Sequence, residues 1–338
     1  MSATAVPSVT VVVPARDEVS SIDACIDAIG AQDHPLDDLE VLVIVDGGSR
    51  DGTAARAHAL LAGRGFGHSA VILNDGTGTP SNLNLGLRRA GGAILCRVDA
   101  RSRIPRDYVR RCIDLLTARP EVAVVGGAQV AIAPHDTAVG VGIARALNNR
   151  WGTGWSRYRR AAASGVSDTV YLGTFRTADL RRVGGWDPAL GTNQDFDLNR
   201  RLSADRRLVW FETGLPVEYV PRSTLPDLYR QYVRFGRWKV RYWRHRGDRP
   251  RPRQVALLAG VPLAGAAAVA AVAAVPPGAR GRLVAGAAVA AVVFEAAGSR
   301  RPRGGLAAHG CALLATSAVA AGWLGGAWRE LLGGGRSD

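Results

Sequence analysis

The chain has 338 residues, of which 47% are hydrophobic, and a formal net charge of +14 at pH 7. Length and apolar content permit a full core, in one large domain with an appendage or in two ordinary domains. Four cysteines without CxxC or Cys/His spacing favour buried thiols in a reducing compartment over a disulfide framework, and no basic segment followed by an apolar stretch opens the chain, so a cleaved signal peptide is not expected.

From Val9 to about Gly127, apolar β-branched runs alternate with helical patterns. The runs are Val9–Val13, Val41–Val45, Ala70–Leu73, Ala93–Val98 and Val122–Val125. The predicted helices are Glu18–Ala31, Gly52–Leu61, Pro80–Arg89 and Pro105–Leu116. The first would place Val19, Ile22, Ile26 and Ile29 on one face, and Pro105 is expected at the first helical position of the last. This alternation predicts an α/β fold with a mostly parallel sheet and helices on both faces. From residue 128 the chain is rich in Gly, Arg, Trp and Tyr, and shorter, irregular elements over the sheet are expected.

The final third changes composition. Val255–Val275 is 21 residues without a charge, and about 20 apolar residues suffice to cross a bilayer. A buried Ala-rich helix would have the same composition, but the flanks favour the membrane. Leu283–Gly298 is shorter and carries Glu295, so crossing and re-entrant placement both fit it. Leu306–Trp328 is long enough to cross and contains His309. Between Arg237 and Arg253 stand eight Arg or Lys against one acid, Asp248. Such a cluster fits nucleic acid or an anionic membrane face. Because it adjoins a span and no nucleic-acid module is visible, no nucleic-acid partner is expected. The positive-inside rule then puts the preceding domain in the cytoplasm, with Arg300, Arg301 and Arg303 on the same side.

Three aspartates mark the chemistry. Asp46 ends one strand-like run and Asp99 follows another, and open α/β sheets bind ligands beyond the carboxyl ends of their strands. Asp195 lies in Gln194-Asp195-Phe196-Asp197-Leu198, at a predicted helix start. Two strand-end carboxylates suit a nucleotide and a cation, and the third suits a base. Equally, Asp195 and Asp197 are the acids that a first helical turn favours. Val13-Pro14-Ala15-Arg16-Asp17-Glu18 closes the first strand, and the helix start behind it would offer free N–H groups to an anion, or Asp17 and Glu18 would cap it. In Val45-Asp46-Gly47-Gly48-Ser49-Arg50-Asp51-Gly52-Thr53, Asp46 is read as a nucleotide contact and Asp51 as the cap of the next helix. A dinucleotide-binding reading of Gly76-Thr77-Gly78-Thr79-Pro80-Ser81 fails, because the third glycine is missing.

These segments resemble family 2 inverting glycosyltransferases with a GT-A fold, from about Val9 to Trp238. The resemblance rests on residues 13–18 and 45–53, on Asn82-Leu83-Asn84-Leu85-Gly86-Leu87, and on Arg97-Val98-Asp99-Ala100-Arg101. It continues in Val183-Gly184-Gly185-Trp186-Asp187 and in Gln194-Asp195 with Arg200-Arg201-Leu202. It is nearest to the membrane-anchored branch that builds exopolysaccharides of the succinoglycan type. It implies that Asp46 contacts the nucleotide base, with Pro14, Arg16, Glu18 and Asn82 lining the nucleotide-sugar site. It also implies that Asp99 stands at the DxD position for a divalent cation, Mg2+ or Mn2+, bridging the diphosphate. The second acid of that motif is here Arg101, so either Asp99 suffices with water and phosphate oxygens, or Arg101 itself meets phosphate. Asp195 matches the catalytic base, and its usual Glu neighbour is Gln194. Gln231-Tyr232-Val233-Arg234-Phe235 resembles a QxxRW element and, with Trp238, would face acceptor and diphosphate. An amphipathic interfacial helix reads the same stretch equally well.

The expected organisation is a nucleotide-sugar-binding half over 1–127, an acceptor and catalytic half over 128–236, a basic juxtamembrane segment over 237–253, and a membrane region over 254–330 with two to three transmembrane helices. The expected activity is transfer of a sugar from a nucleotide diphosphate sugar, UDP-linked by preference, to a lipid-linked saccharide with inversion, at the bacterial inner membrane. Transfer to polyprenyl phosphate and a catalytically degenerate sugar-nucleotide-binding protein are the alternatives.

Overall fold

The computed structural model describes residues 8–151, 158, 163–299 and 305–333; Arg300, Arg301 and Arg303 lie outside them. The chain forms two compact units, one of Met1–Val130 with Trp155–Val220, the other of Ala131–Gly154 with Pro221–Asp338. Both are discontinuous in sequence, so their division falls within the expected 128–236 segment.

The first unit is built on a nine-stranded sheet. Its strands are β1 (Val9–Ala15), β2 (Leu39–Asp46), β3 (His68–Asn74), β4 (Ile94–Arg97), β5 (Ser102–Arg103), β6 (Val122–Ala131), β7 (Gly165–Val166), β8 (Tyr171–Arg176) and β9 (Leu208–Tyr219). The order is β3-β2-β1-β4-β8-β6-β9-β5, with β7 on β9. The four strands β1 to β4 are mutually parallel, as the alternation predicts. Beyond β4 the sheet becomes mixed: β8 is antiparallel to both β4 and β6, and β9 pairs antiparallel with β5 and β7. Thus Val122–Val125 is a strand that runs in the direction of β4 but pairs with the antiparallel β8, and the region after residue 128 supplies strands rather than irregular elements alone.

Side chains alternate between two cores, as a pleated strand requires. Val9, Val11, Val13, Val41, Val43 and Val45 enter one core, with Ile22, Ile26 and Ile29 of α1 (Ile22–Gly30), Ala57 and Leu61 of α2 (Thr53–Leu61) and a face of α4 (Tyr108–Ala118). Val12, Leu42 and Ile44 enter the other, with Leu83 and Leu87 of α3 (Thr79–Arg89). Helices therefore cover both faces. Cys25, Cys96 and Cys112 are buried free thiols, and burial pushes the Cys96 thiol up to about 12, which leaves it inert.

Two helix starts differ from the sequence reading. α1 begins at Ile22, not Glu18, and Val19 stays exposed. The amides a first turn would free are already bonded: Asp17 N–H donates to Ser49 Oγ (3.0 Å), Glu18 N–H to Thr53 Oγ1 (2.8 Å) and Val19 N–H to Asp51 Oδ2 (2.9 Å). They hold two loops together rather than offering an anion site. α4 begins at Tyr108, whose N–H donates to the Pro105 carbonyl (3.0 Å), so Pro105 lies in the turn before the helix.

The second unit contains α5 (Ala138–Asn148), and after α6 (Thr177–Arg182) and α7 (Gln194–Ala204) of the first unit, α8 (Leu225–Arg246), α9 (Val261–Ala274), α10 (Pro277–Gly298) and α11 (Leu306–Leu332). Among the described residues three helical stretches are long and apolar enough to cross a membrane: Ala256–Ala274, Pro277–Gly298 and Leu306–Leu332. The second is six residues longer than the expected Leu283–Gly298, because its first turns include Arg280 and Arg282.

Candidate active site

The strand-end loops carry the first part of the site. Asp46 is the last residue of β2 and its side chain is buried. Its Oδ1 accepts from Gly48 N–H (2.9 Å), its Oδ2 accepts from Gly78 N–H (2.6 Å), and Arg16 Nη1 lies 3.6 Å from Oδ1. Asp46 thus ties the loop after β2 to the start of α3, with one half-exposed guanidinium above it. The N-cap of α2 is Gly52 rather than Asp51; Asp51, one residue earlier, still accepts Thr53 N–H at 3.1 Å, and its other oxygen accepts from Val19 N–H. Asn82 is buried on α3, and its Oδ1 accepts from Asn74 Nδ2 (2.8 Å), which fixes α3 against the end of β3.

The second part centres on a residue to which the sequence reading assigned no role. Arg97, the last residue of β4, is 4% exposed. Its Nε and Nη2 donate to the two oxygens of Asp99 (2.7 and 3.2 Å), and its Nη1 donates to Asp195 Oδ1. A planar fork holding two carboxylates is geometry that Arg supplies and Lys cannot. Asp99 and Asp195, ninety-six positions apart, are brought together on one cation. The signal was present: a lone charge within an apolar strand is almost never buried unless paired.

Asp195 is also held from the opposite side. It lies in the first turn of α7, which starts where Asn193 adopts a left-handed φ of 67°. The buried Trp186 indole donates Nε1–H to Asp195 Oδ1 (3.2 Å). Trp186 is fixed in turn by Asn84, whose Nδ2 donates to the Trp186 carbonyl (2.7 Å) while its Oδ1 accepts from Trp186 N–H (2.9 Å). Before it, Gly184 and Gly185 have φ of 77° and 68°, and a Cβ on Gly185 would stand 2.4 Å from Asn84 Oδ1. Arg201 closes the arrangement, donating to the carbonyls of Val183 (2.5 Å) and Gly185 (2.6 Å) and to Asp197 (2.9 Å). Asp197 is therefore a structural acid, whereas Asp195 keeps 35% of its side chain open. Burial holds the Asp195 carboxyl above the usual carboxylate range; Arg97 pulls it down, and Asp99 pushes it further up.

The remaining expected residues separate into two groups. Arg101 Nε donates to Glu18 Oε1 (2.8 Å), so the residue at the second acid position is itself paired with an acid. Gln194 is buried beside Asp195 at the start of α7. Gln231, Arg234, Phe235 and Trp238 lie on α8, in the second unit, where Phe235 packs edge-on against Tyr232 (5.3 Å between ring centres). Pro14 lies within β1. Among the described residues no three His, Cys, Asp or Glu side chains converge as metal ligands.

Comparison with known proteins places this arrangement. The glycosyl transferase family 2 model matches residues 10–165. Over 329 residues, 95% of this chain and 94% of the relative, the sequence is 31% identical to the succinoglycan biosynthesis protein ExoA of Rhizobium meliloti (strain 1021). The chain belongs to glycosyltransferase family 2. A second relative, 23% identical over 68% of this chain and 71% of its own, is a dolichyl N-acetyl-α-D-glucosaminyl phosphate 3-β-D-2,3-diacetamido-2,3-dideoxy-β-D-glucuronosyltransferase of Methanococcus voltae. Among solved structures, the mannosyltransferase of Pyrobaculum calidifontis in complex with GDP-Man and Mn2+ has a TM-score of 0.66. It is 22% identical, and the match covers 98% of this chain and 89% of that one. That likeness carries the fold, and the GT-A expectation holds. This family 2 glycosyltransferase is thus related to enzymes of exopolysaccharide and lipid-linked glycan synthesis.

Proposed function

We propose that this glycosyltransferase moves a sugar from a nucleotide diphosphate sugar to a hydroxyl of a lipid-linked saccharide, with inversion, while anchored in the bacterial inner membrane with its catalytic unit in the cytoplasm. The observation that carries the reading is the Arg97 fork, which sets Asp195 beside Asp99 at the carboxyl edge of β4. Inversion by direct displacement needs one base, placed where the acceptor hydroxyl arrives. Asp195 and Asp99 both keep an open edge there, with 35% and 31% of their side chains exposed, and Asp195 would take the hydroxyl proton as the acceptor oxygen attacks the anomeric carbon. Its raised affinity for a proton suits a group that must accept one near neutral pH. Trp186 and Arg97 both bond Oδ1, which leaves Oδ2 for the acceptor.

Asp46, Arg16 and the loop amides would receive the nucleoside. Asp99 would hold the divalent cation: Mg2+ is commonly bound through one or two carboxylates with phosphate and water completing the shell, so a single carboxylate at the strand end fits a cation that arrives with the nucleotide. When bound, that cation supplies charge to offset the leaving diphosphate. Arg97 keeps Asp99 oriented, and Glu18 keeps Arg101 from folding back on Asp99. Val255 onward anchors the chain, and a UDP-sugar is the preferred donor. The test is a panel of nucleotide sugars offered to membranes carrying the protein, with lipid extracts scored by mass. A hexose-sized shift on a saccharide-bearing lipid supports the reading, whereas a shift on bare polyprenyl phosphate assigns the simpler acceptor.

A further inference from the structure

The three apolar helical stretches of the second unit differ in what surrounds them. Along Ala256–Ala274 and Pro277–Gly298 most side chains are bare, Leu263, Val269, Val289 and Val293 among them. Leu306–Leu332 instead buries a continuous stripe, Ala308, Ala312, Ala315, Val319, Gly322, Gly326 and Glu330. Two helices cover that stripe. A Cβ on Gly142 of α5 would stand 2.5 Å from Cys311 Cβ, and one on Gly236 of α8 would stand 2.0 Å from the Trp323 carbonyl. A Cβ on Gly326 would stand equally close to the Val233 carbonyl, at 2.0 Å. Helix α8 carries seven Arg or Lys over Leu225–Arg246. At about 2.5–3.5 kcal/mol for each such residue at a bilayer centre, it does not lie in hydrocarbon. Its close partner along Gly322–Glu330 cannot lie there either. Glu330 takes Arg237 Nε (3.3 Å) and Arg241 Nε (3.0 Å), so the end of α11 sits within the basic cluster.

The two ends of α11 give an independent argument. His309 Nδ1 lies 2.5 Å from Glu295 Oε2, in the last turn of Pro277–Gly298, with Arg145 of α5 completing the cluster at 3.1 Å from that oxygen. Trp328 Nε1 donates to the Leu258 carbonyl (3.3 Å), in the first turn of Ala256–Ala274. If those two stretches cross as a hairpin, Leu258 and Glu295 are on the same side of the membrane. Yet His309 and Trp328 are nineteen residues apart, about 28 Å along a helix, close to the thickness of a bilayer core. A crossing α11 would put its two contacts on opposite sides.

We propose that Leu306–Leu332 does not cross the membrane but lies in its interface, with its small-residue face docked on α5 and α8 and its opposite face in phospholipid. That opposite face exposes the large apolar side chains Leu306, Leu314, Trp328 and Leu331. An in-plane helix of this kind sinks about 5–10 Å into the headgroup and acyl boundary. The chain then crosses twice, and both termini lie on one side. The inference rests on the hairpin reading of the anchor and is independent of the reaction.

The experiment places protease-cleavable tags at the N-terminus, at the C-terminus and between Val275 and Pro276 of the full chain, in inside-out and right-side-out vesicles. Both terminal tags should be cut in the same vesicles and the central tag only in the other kind. A C-terminal tag cut together with the central one, and apart from the N-terminal one, overturns the in-plane assignment while leaving the anchor intact. All three cut from one side removes the hairpin and the proposal with it. As a second measurement, a nitroxide on Leu314→Cys in a Cys311→Ala background should report interfacial depth; a label at the bilayer centre would contradict the assignment.

Discussion

Replacing Arg97 by Met keeps the volume of the side chain and removes the cation that two carboxylates share. Charge centres in hydrogen-bond contact, about 4 Å apart, interact by about 4 kcal/mol in a surface-like dielectric and by about 1 kcal/mol in water. Asp195 retains 35% of its side-chain exposure, which moves the value toward the lower figure. Loss of Arg97 therefore changes the affinity of Asp195 for its proton. The sign is upward. Burial already raises Asp195, Arg97 opposes that, and Asp99 adds to it, so without Arg97 the two acids face each other uncompensated. A general base must be ionised, so the acid limb of the kcat/KM profile should move to higher pH. Activity at pH 7 should fall while part of it returns in alkaline buffer. The assay is transfer to the lipid-linked acceptor between pH 5 and 9, with Arg97→Lys as companion, which keeps the charge and should shift the limb less. An unshifted limb in Arg97→Met, with the protein folded, would refute the view that Arg97 sets the ionisation of Asp195.

Asp195→Asn should lower turnover by roughly 10²–10⁴-fold and leave donor affinity near wild type, measured by single-turnover transfer and nucleotide titration. Trp186→Phe removes one hydrogen bond to a charged group, worth about 1.5–3 kcal/mol, so kcat should fall about 10- to 150-fold with donor KM little changed. The same variant should move the acid limb upward, because the indole N–H favours the ionised form. Asp99→Asn should weaken nucleotide diphosphate affinity in the presence of Mg2+ and abolish the difference that EDTA makes to the wild type. Gly326→Val places a branched side chain where a Cβ would already stand 2.0 Å from the Val233 carbonyl, and should lower the thermal midpoint in detergent by separating α8 from α11.

Much of the sheet was legible from pattern alone. Val9–Val13 and Val41–Val45 read as strands because both faces of a parallel strand are buried, and their alternate residues do enter two cores. The antiparallel half was hidden. β8 and β9 interleave polar residues and glycine, as in Tyr171-Leu172-Gly173-Thr174-Phe175, and their partners are distant in sequence. The start of α1 was misread because Val19 fits the helical period, whereas side chains of residues 49–53 claim the amides before it. In the site, Asp46, Asp99 and Asp195 stood out as acids at element ends. Arg97 and Trp186 stand within motifs that carry no sign of their role, since only tertiary contact brings both onto Asp195. Arg101 was offered to phosphate; its bond to Glu18 depends on two loops meeting, which spacing does not encode.

Asp195 is the proposed base of a single inverting displacement at an acceptor hydroxyl. The most direct measurement is the anomeric configuration of the first product, made by purified protein in lipid nanodiscs from an α-linked nucleotide sugar and an extracted lipid-linked saccharide, and read by NMR. Inversion with Asp195 as base gives a β-linked product in the wild type and none above background in Asp195→Asn. An α-linked product, or a β-linked product formed at near-normal rate by Asp195→Asn, would contradict it.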